Sequence, residues 1–146
     1  MRSSRVPSLL LASCVAFAAA CSSTRPEGSA RVELDLPAQA ANLSAGPVAA
    51  ALLHGDAYVS VNLLRISSPI ELHRHLESEE IVYVLSGEGT LQLASDTHAL
   101  RAGDLFVVPR NTPHAFTPTG RDPAVVLQLF TPRFTDGDRV PEADAK

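Results

Sequence analysis

From Val48 onward the chain is cut into short apolar runs by turn residues, and this punctuation constrains the fold more than any other feature. The runs are Val48–Leu53, Ala57–Ile66, Ile70–His75, Glu80–Leu85, Thr90–Ala94, Leu105–Val108, Ala115–Thr117 and Ala124–Phe130. Between them stand Gly55-Asp56, Ser67-Ser68-Pro69, Gly87-Glu88-Gly89, Ala102-Gly103-Asp104, Pro109–Pro113 and Pro118–Pro123. Each run has strand length, and none carries the 3.6-residue apolar period of an amphipathic helix. The spacing therefore predicts an all-β domain over residues 46–134, a small sandwich or barrel that closes its own edges and leaves a pocket in its mouth. Apolar residues make up 45% of the 146-residue chain and charged residues 19%, the profile of a folded globular domain. The formal charge is −4 and no Lys/Arg cluster occurs, so no nucleic-acid partner is expected.

The segment before the strands reads differently. Arg2 and Arg5 precede an uncharged stretch from Val6 to Ala20 that contains Leu9, Leu10, Leu11, Val15 and Phe17. At about fifteen residues this is short for a membrane span and suited to the apolar region of a signal peptide, assigned to residues 1–20. Both cysteines fall here, each after small residues: Leu11-Ala12-Ser13-Cys14 and Ala18-Ala19-Ala20-Cys21. Both resemble the lipobox of bacterial lipoproteins, in which the Cys is lipidated and becomes the new N-terminus. Cys21 is preferred as the lipidation site because it leaves a longer apolar region and is followed by a polar, Pro- and Gly-containing stretch; Cys14 remains the alternative. The resemblance implies an exported protein of the bacterial cell envelope, anchored to the outer membrane or at the periplasmic face. Residues 21–45 are then a lipidated N-terminus and flexible tether, and 135–146 a C-terminal tail. Within the tether, Val32–Leu36 alternates and reads either as an edge strand able to meet a second subunit or as chance alternation.

The residues that carry chemistry begin at His73. In a strand, positions i and i+2 share a face, so His73 and His75 project their imidazoles side by side, a poor apolar face but a good chelate. A turn through Leu76–Ser78 brings the acids Glu79 and Glu80 back toward the pair. Alone, this pattern is ambiguous. A second segment strengthens it: the turn at Gly103, the run Leu105–Val108, the turn Pro109-Arg110-Asn111-Thr112-Pro113, and His114 opening the next strand.

Together these residues resemble the cupin family, over about Asp56 to Phe130. The first motif appears as His73-x-His75, four residues, Glu80, six residues, Gly87; the second as Gly103, five residues, Pro109-x-Asn111, two residues, His114. Three positions depart from the pattern: Ser67 stands for the opening Gly, Asn111 for the Gly of the second motif, and Pro118 for the final Asn. Asn tolerates left-handed backbone, so the turn at 111 is expected to survive. The resemblance implies a double-stranded β-helix, the cupin jelly-roll barrel, with one divalent transition metal (Fe, Mn, Ni, Cu or Zn) held by His73, His75, Glu80 and His114. The interval to Gly87 favours Glu80 over Glu79. Ligand types alone do not choose among these metals.

Strand parity adds the surroundings. Val82 and Phe116 lie two residues beyond Glu80 and His114 and are expected to face the cavity; Phe106 and Val108, or else their neighbours, and one of Gln128 and Leu129, with Gln128 preferred, complete a small, mostly apolar substrate pocket. Arg65 is the one basic residue considered for the interior, and a highly charged substrate is not indicated. His54 and His98 match neither motif and read as surface or turn histidines. Two functions fit: a metal-dependent oxygenase or isomerase acting on a small molecule, or a non-catalytic lipoprotein that binds a metal or small ligand. A homodimer paired through an edge strand is expected from the resemblance only.

Overall fold

A computed structural model describes residues 35–142. The expected signal peptide, Cys14 and Cys21, and Val32, Glu33 and Leu34 of the alternating piece lie outside the described residues. The described chain holds one short helix, α1 (Leu36–Ala41), and ten strands: β1 (Val48–Gly55), β2 (Ser60–Ile66), β3 (Ile70–His75), β4 (Glu79–Ser86), β5 (Glu88–Leu93), β6 (Asp96–Arg101), β7 (Leu105–Val108), β8 (His114–Pro118), β9 (Ala124–Thr131) and β10 (Arg139–Pro141). They form two five-stranded antiparallel sheets in the orders β1-β2-β9-β4-β7 and β10-β3-β8-β5-β6. This is the expected all-β jelly-roll. The inner faces meet in a core of Leu64, Ile66, Val82, Val84, Phe116, Ala124 and Val126, drawn from both sheets.

Beyond shifts of one or two residues at strand ends, the fold differs from the reading of the sequence in four places. The expected strand Ala57–Ile66 starts at Ser60, because the Asp56 carboxylate accepts the backbone N–H groups of Tyr58 (2.7 Å) and Val59 (2.9 Å) and closes a turn. Strand β6 has no apolar alternation to announce it, since five of its six residues are exposed at the edge of the second sheet. The segment expected to be a flexible tether contains α1. Asp35 caps that helix by accepting from Ala38 N–H at 3.3 Å, and Pro37 sits in its first turn, where a missing N–H costs nothing. Ala40 then buries completely against Leu63 and Val125, so α1 covers residues that alternate with the inward-facing core positions. Finally, the expected tail contributes β10, which pairs with β3 through Arg139↔His75, Val140↔Arg74 and Pro141↔His73.

One turn and one strand glycine place the site. Asn111 adopts the left-handed conformation (φ 59°) that the family motif fills with Gly, and its N–H donates to the carbonyl of His75 at 2.6 Å. That bond ties the turn before β8 to the end of β3. Gly89 on β5 leaves room for an aromatic ring, because a Cβ there would lie 2.2 Å from Phe116 Cζ.

Candidate metal centre

Strands β3, β4 and β8 deliver the titratable side chains to one place. His73 and His75 share the inner face of β3, and His73 stands opposite His114, the first residue of β8. All three imidazoles are buried, with 3–6% of their surface exposed, and each offers a nitrogen such that the three donor atoms lie within 4.8 Å of one another. Glu80, the second residue of β4, is equally buried. Its Oε2 lies 2.9 Å from His114 Nε2 and 3.6 Å from His75 Nε2. The structure thus brings Glu80 to the histidines, while Glu79 is half-buried on the opposite face of the strand.

The outer nitrogens are already engaged. His73 Nδ1 donates to the carbonyl of Glu71 at 2.8 Å, and His114 Nδ1 to the carbonyl of Thr112 at 3.0 Å. His75 Nδ1 faces Asp138 Oδ2 at 3.4 Å, an electrostatic contact too poorly aligned to be a hydrogen bond. With the protons drawn to Nδ1, the tautomers leave the Nε2 lone pairs pointing inward. His75 Nε2, His114 Nε2 and Glu80 Oε2 are all buried without a hydrogen-bond partner despite their proximity. Lone pairs facing lone pairs repel, and a cation among them removes the conflict. Ligands about 2.1 Å from a common ion stand about 3.0–3.4 Å apart, which is the scale of the Glu80 contacts. These residues fit a transition metal.

The electrostatics agree. Burial, reinforced by the neighbouring His114, pushes His73 down to about 4, so its imidazole is neutral at physiological pH. For Glu80 burial opposes ionisation, but contacts with His114 and His75 and the hydrogen bond from Gln128 outweigh it and hold the carboxyl well below its usual range. Gln128 on β9 donates through Nε2 to Glu80 Oε1 at 2.5 Å, leaving Oε2 for the histidines.

A cavity of about 380 Å³ opens onto the imidazoles. Val82, Phe106, Phe116 and Gln128 all line it, together with apolar residues such as Leu64, Ile66 and Val126. Arg65 is engaged elsewhere, bonding the Ser67 hydroxyl at 3.1 Å, and does not line the cavity. His54 is exposed beside Asp56 and His98 is exposed on β6; neither approaches the centre.

Three residues of the site were not anticipated from the sequence. Asp138 is buried at 2% exposure, accepts the Ser78 hydroxyl and the backbone N–H groups of Glu77 (2.6 Å) and Ser78 (3.3 Å), and faces His75. Phe134 packs edge-on against His75, its ring centroid 5.7 Å away, beside Phe130 at 4.8 Å. Arg139 lines the cavity, which corrects the expectation of an interior with no basic residue beyond Arg65. All three follow the motif-bearing region, in a stretch with no periodicity to read.

The cupin domain profile matches residues 66–130, the span that contains all four motif positions. An uncharacterized protein of Methanocaldococcus jannaschii, MJ1618, is 30% identical over 99 residues, covering 64% of this chain and 79% of that protein. The chain belongs to the cupin family. A germin-like protein of Arabidopsis thaliana, subfamily 2 member 2, is 38% identical over 81 residues, but the cupin chain spans only 37% of its length. Among solved structures, KdgF from Halomonas sp. superposes with a TM-score of 0.57 at 24% identity, over 62% of this chain and 85% of that one. Pac13 of Streptomyces, a nucleoside dehydratase, gives 0.57 at 23% identity, over 65% and 78%. At these identities the likeness is one of fold.

Proposed function

We propose that this cupin binds one divalent transition metal through His73, His75, His114 and Glu80, and uses it as a metal-dependent oxygenase or isomerase on a small molecule. The observation that carries the reading is the convergence of buried Nε2 and carboxylate atoms that have no hydrogen-bond partner among the described residues, with the His73 and His114 tautomers fixed by backbone carbonyls. Four protein ligands would leave one or two coordination positions for a small molecule, and the ligand side chains line the cavity. A metal there supplies Lewis acidity or redox capacity to an oxygen-bearing ligand. The protein's own part is to exclude water with Val82, Phe106 and Phe116 and to hold Glu80 ionised through Gln128.

A second reading, a non-catalytic binder of a metal or small ligand, draws on one specific observation. The carboxylate and imidazole groups that line the cavity are the four proposed ligands, which leaves none of them free as a general acid or base among the described residues. The lipobox-like leader supports placing either activity in the cell envelope, anchored through Cys21.

Metal titration of the purified protein, with metal content read by elemental mass spectrometry, tests the site. One equivalent is expected for the wild type and a loss of at least most of it for His73→Ala and His114→Ala. Unchanged metal content in both variants refutes the assignment. Turnover or oxygen uptake by the loaded protein then separates enzyme from binder. Mass spectrometry of the exported protein tests the anchor, for which an unmodified Cys21 is the contrary result.

A further inference from the structure

We infer that Arg139 is the docking point for a carboxylate on the small molecule that enters the cavity, an inference that rests on the metal site proposed above. Strand β10 pairs antiparallel with β3 and sets Arg139 directly opposite His75, at the rim of the space that the imidazoles face. Among the described residues it is the one Lys or Arg side chain lining that cavity. The nearby charges are committed elsewhere: Arg74 pairs with Glu142 at 3.0 Å, and Asp138 is taken up by Ser78, Glu77 and His75. The Arg139 side chain has no hydrogen bond or ion pair with any described residue, and the residue is exposed.

An unpaired guanidinium at the mouth of an apolar cavity asks for a planar anion. Its fork of donors matches the two oxygens of a carboxylate. Apart from the proposed metal ligands, the other polar side chains on the wall are neutral amides, Asn62 and Gln128, of which Gln128 already serves Glu80. One cation with a neutral amide suits a singly charged carboxylate better than a phosphate, which calls for several donors. With a divalent ion balanced by Glu80 and by the Asp138 carboxylate behind His75, and Arg139 added, the site carries a charge of about +1, so an anionic ligand is favoured. The substrate class this describes is a small organic acid. One oxygen-bearing group reaches the metal, an apolar middle lies against Val82 and Phe116, and a carboxylate meets Arg139.

The test is a binding comparison on the full metal-loaded protein, by calorimetry, with oxalate, malonate and succinate each set against its monoamide at neutral pH. At least one dicarboxylate is expected to bind about tenfold more tightly than its monoamide, the value of one charge-assisted contact at a partly exposed site. That preference is expected to fall below about threefold in Arg139→Gln and to return in part in Arg139→Lys, with metal content and thermal unfolding unchanged. The inference is overturned if no dicarboxylate is preferred, if the preference survives in Arg139→Gln, or if inorganic phosphate binds through Arg139 more tightly than every dicarboxylate. Metal content, measured on the same samples, reports separately on the metal site. Should the wild type take up no metal, the same comparison on the metal-free protein still decides the role of Arg139.

Discussion

Replacing Asp138 separates what holds the β3–β4 turn from what orients His75. In the wild type the buried carboxylate accepts one hydroxyl and two backbone donors, and burial opposes its ionisation less than those bonds favour it, so its carboxyl is held below the ordinary range. Asp138→Ala removes all three acceptors and leaves buried donors unsatisfied. With the Ser78 N–H contact long and weak, two strong charge-assisted bonds are lost, for an expected destabilisation of about 3–4 kcal/mol in the metal-free protein. Asp138→Asn is the sharper probe. Its carbonyl can still accept from Glu77 N–H, so the stability loss should be smaller, about 1–2 kcal/mol. Its NH₂ group, however, would stand where a carboxylate faced His75 Nδ1, and a donor there favours the tautomer with the proton on Nε2. Metal affinity should then fall about 10–100-fold, the usual scale for removing a partner that orients a ligand. Urea unfolding of the metal-free proteins measures the first effect, and competition with a chelator measures the second. Wild-type metal affinity in Asp138→Asn refutes the orienting role, whatever happens to stability.

Two further outcomes follow from the geometry. Because burial depresses His73 from 6.5 to about 4, the unfolded chain binds more protons than the native one between these values; stability of the metal-free protein is therefore complete above pH ~6.5 and falls by about 3 kcal/mol as pH drops toward 4. Urea midpoints across that range should show the slope and His73→Gln should flatten it, whereas a slope unchanged in that variant contradicts the assignment. Gly89→Ala puts a Cβ against the Phe116 ring and the Thr117 carbonyl, at 2.2 and 2.8 Å before relaxation, so a loss of about 1–3 kcal/mol is expected; an unshifted thermal midpoint would show that Phe116 is free to move away.

The sequence was legible where the physics is local. A strand puts i and i+2 on one face, so His73-x-His75 and the parity positions Val82 and Phe116 could be placed without coordinates. The turn at Asn111 could be placed too, since few residues other than Gly accept its φ of 59°. Local signals were also present for α1, in Asp35 as cap and Pro37 in the first turn, but a Pro- and Ala-rich stretch next to a leader reads as tether until Leu63 and Val125 give Ala40 something to bury against. Strand β6 failed for the converse reason: an exposed edge strand needs no apolar alternation, because the ladder to β5 holds it and Leu100 is its one residue packed against the core.

What the sequence withheld shares one cause. Arg139 reaches the centre through the pairing of β10 with β3 across more than sixty positions of chain, and Asp138 and Phe134 through equally distant contacts with the β3–β4 turn and Ser60, none of them marked by a motif. The ligands are marked in the sequence by motif spacing, whereas these surroundings rest on long-range contacts that no spacing announces. A cupin that keeps His73, His75, Glu80 and His114 retains its donor set whatever the chain does after Thr131. The orienting carboxylate behind His75 and the cation at the cavity mouth, by contrast, belong to a segment that a few substitutions can detach. Exchanging residues 134–142 should therefore lower metal affinity through the loss of Asp138 behind His75, and should remove the preference for a carboxylate through the loss of Arg139.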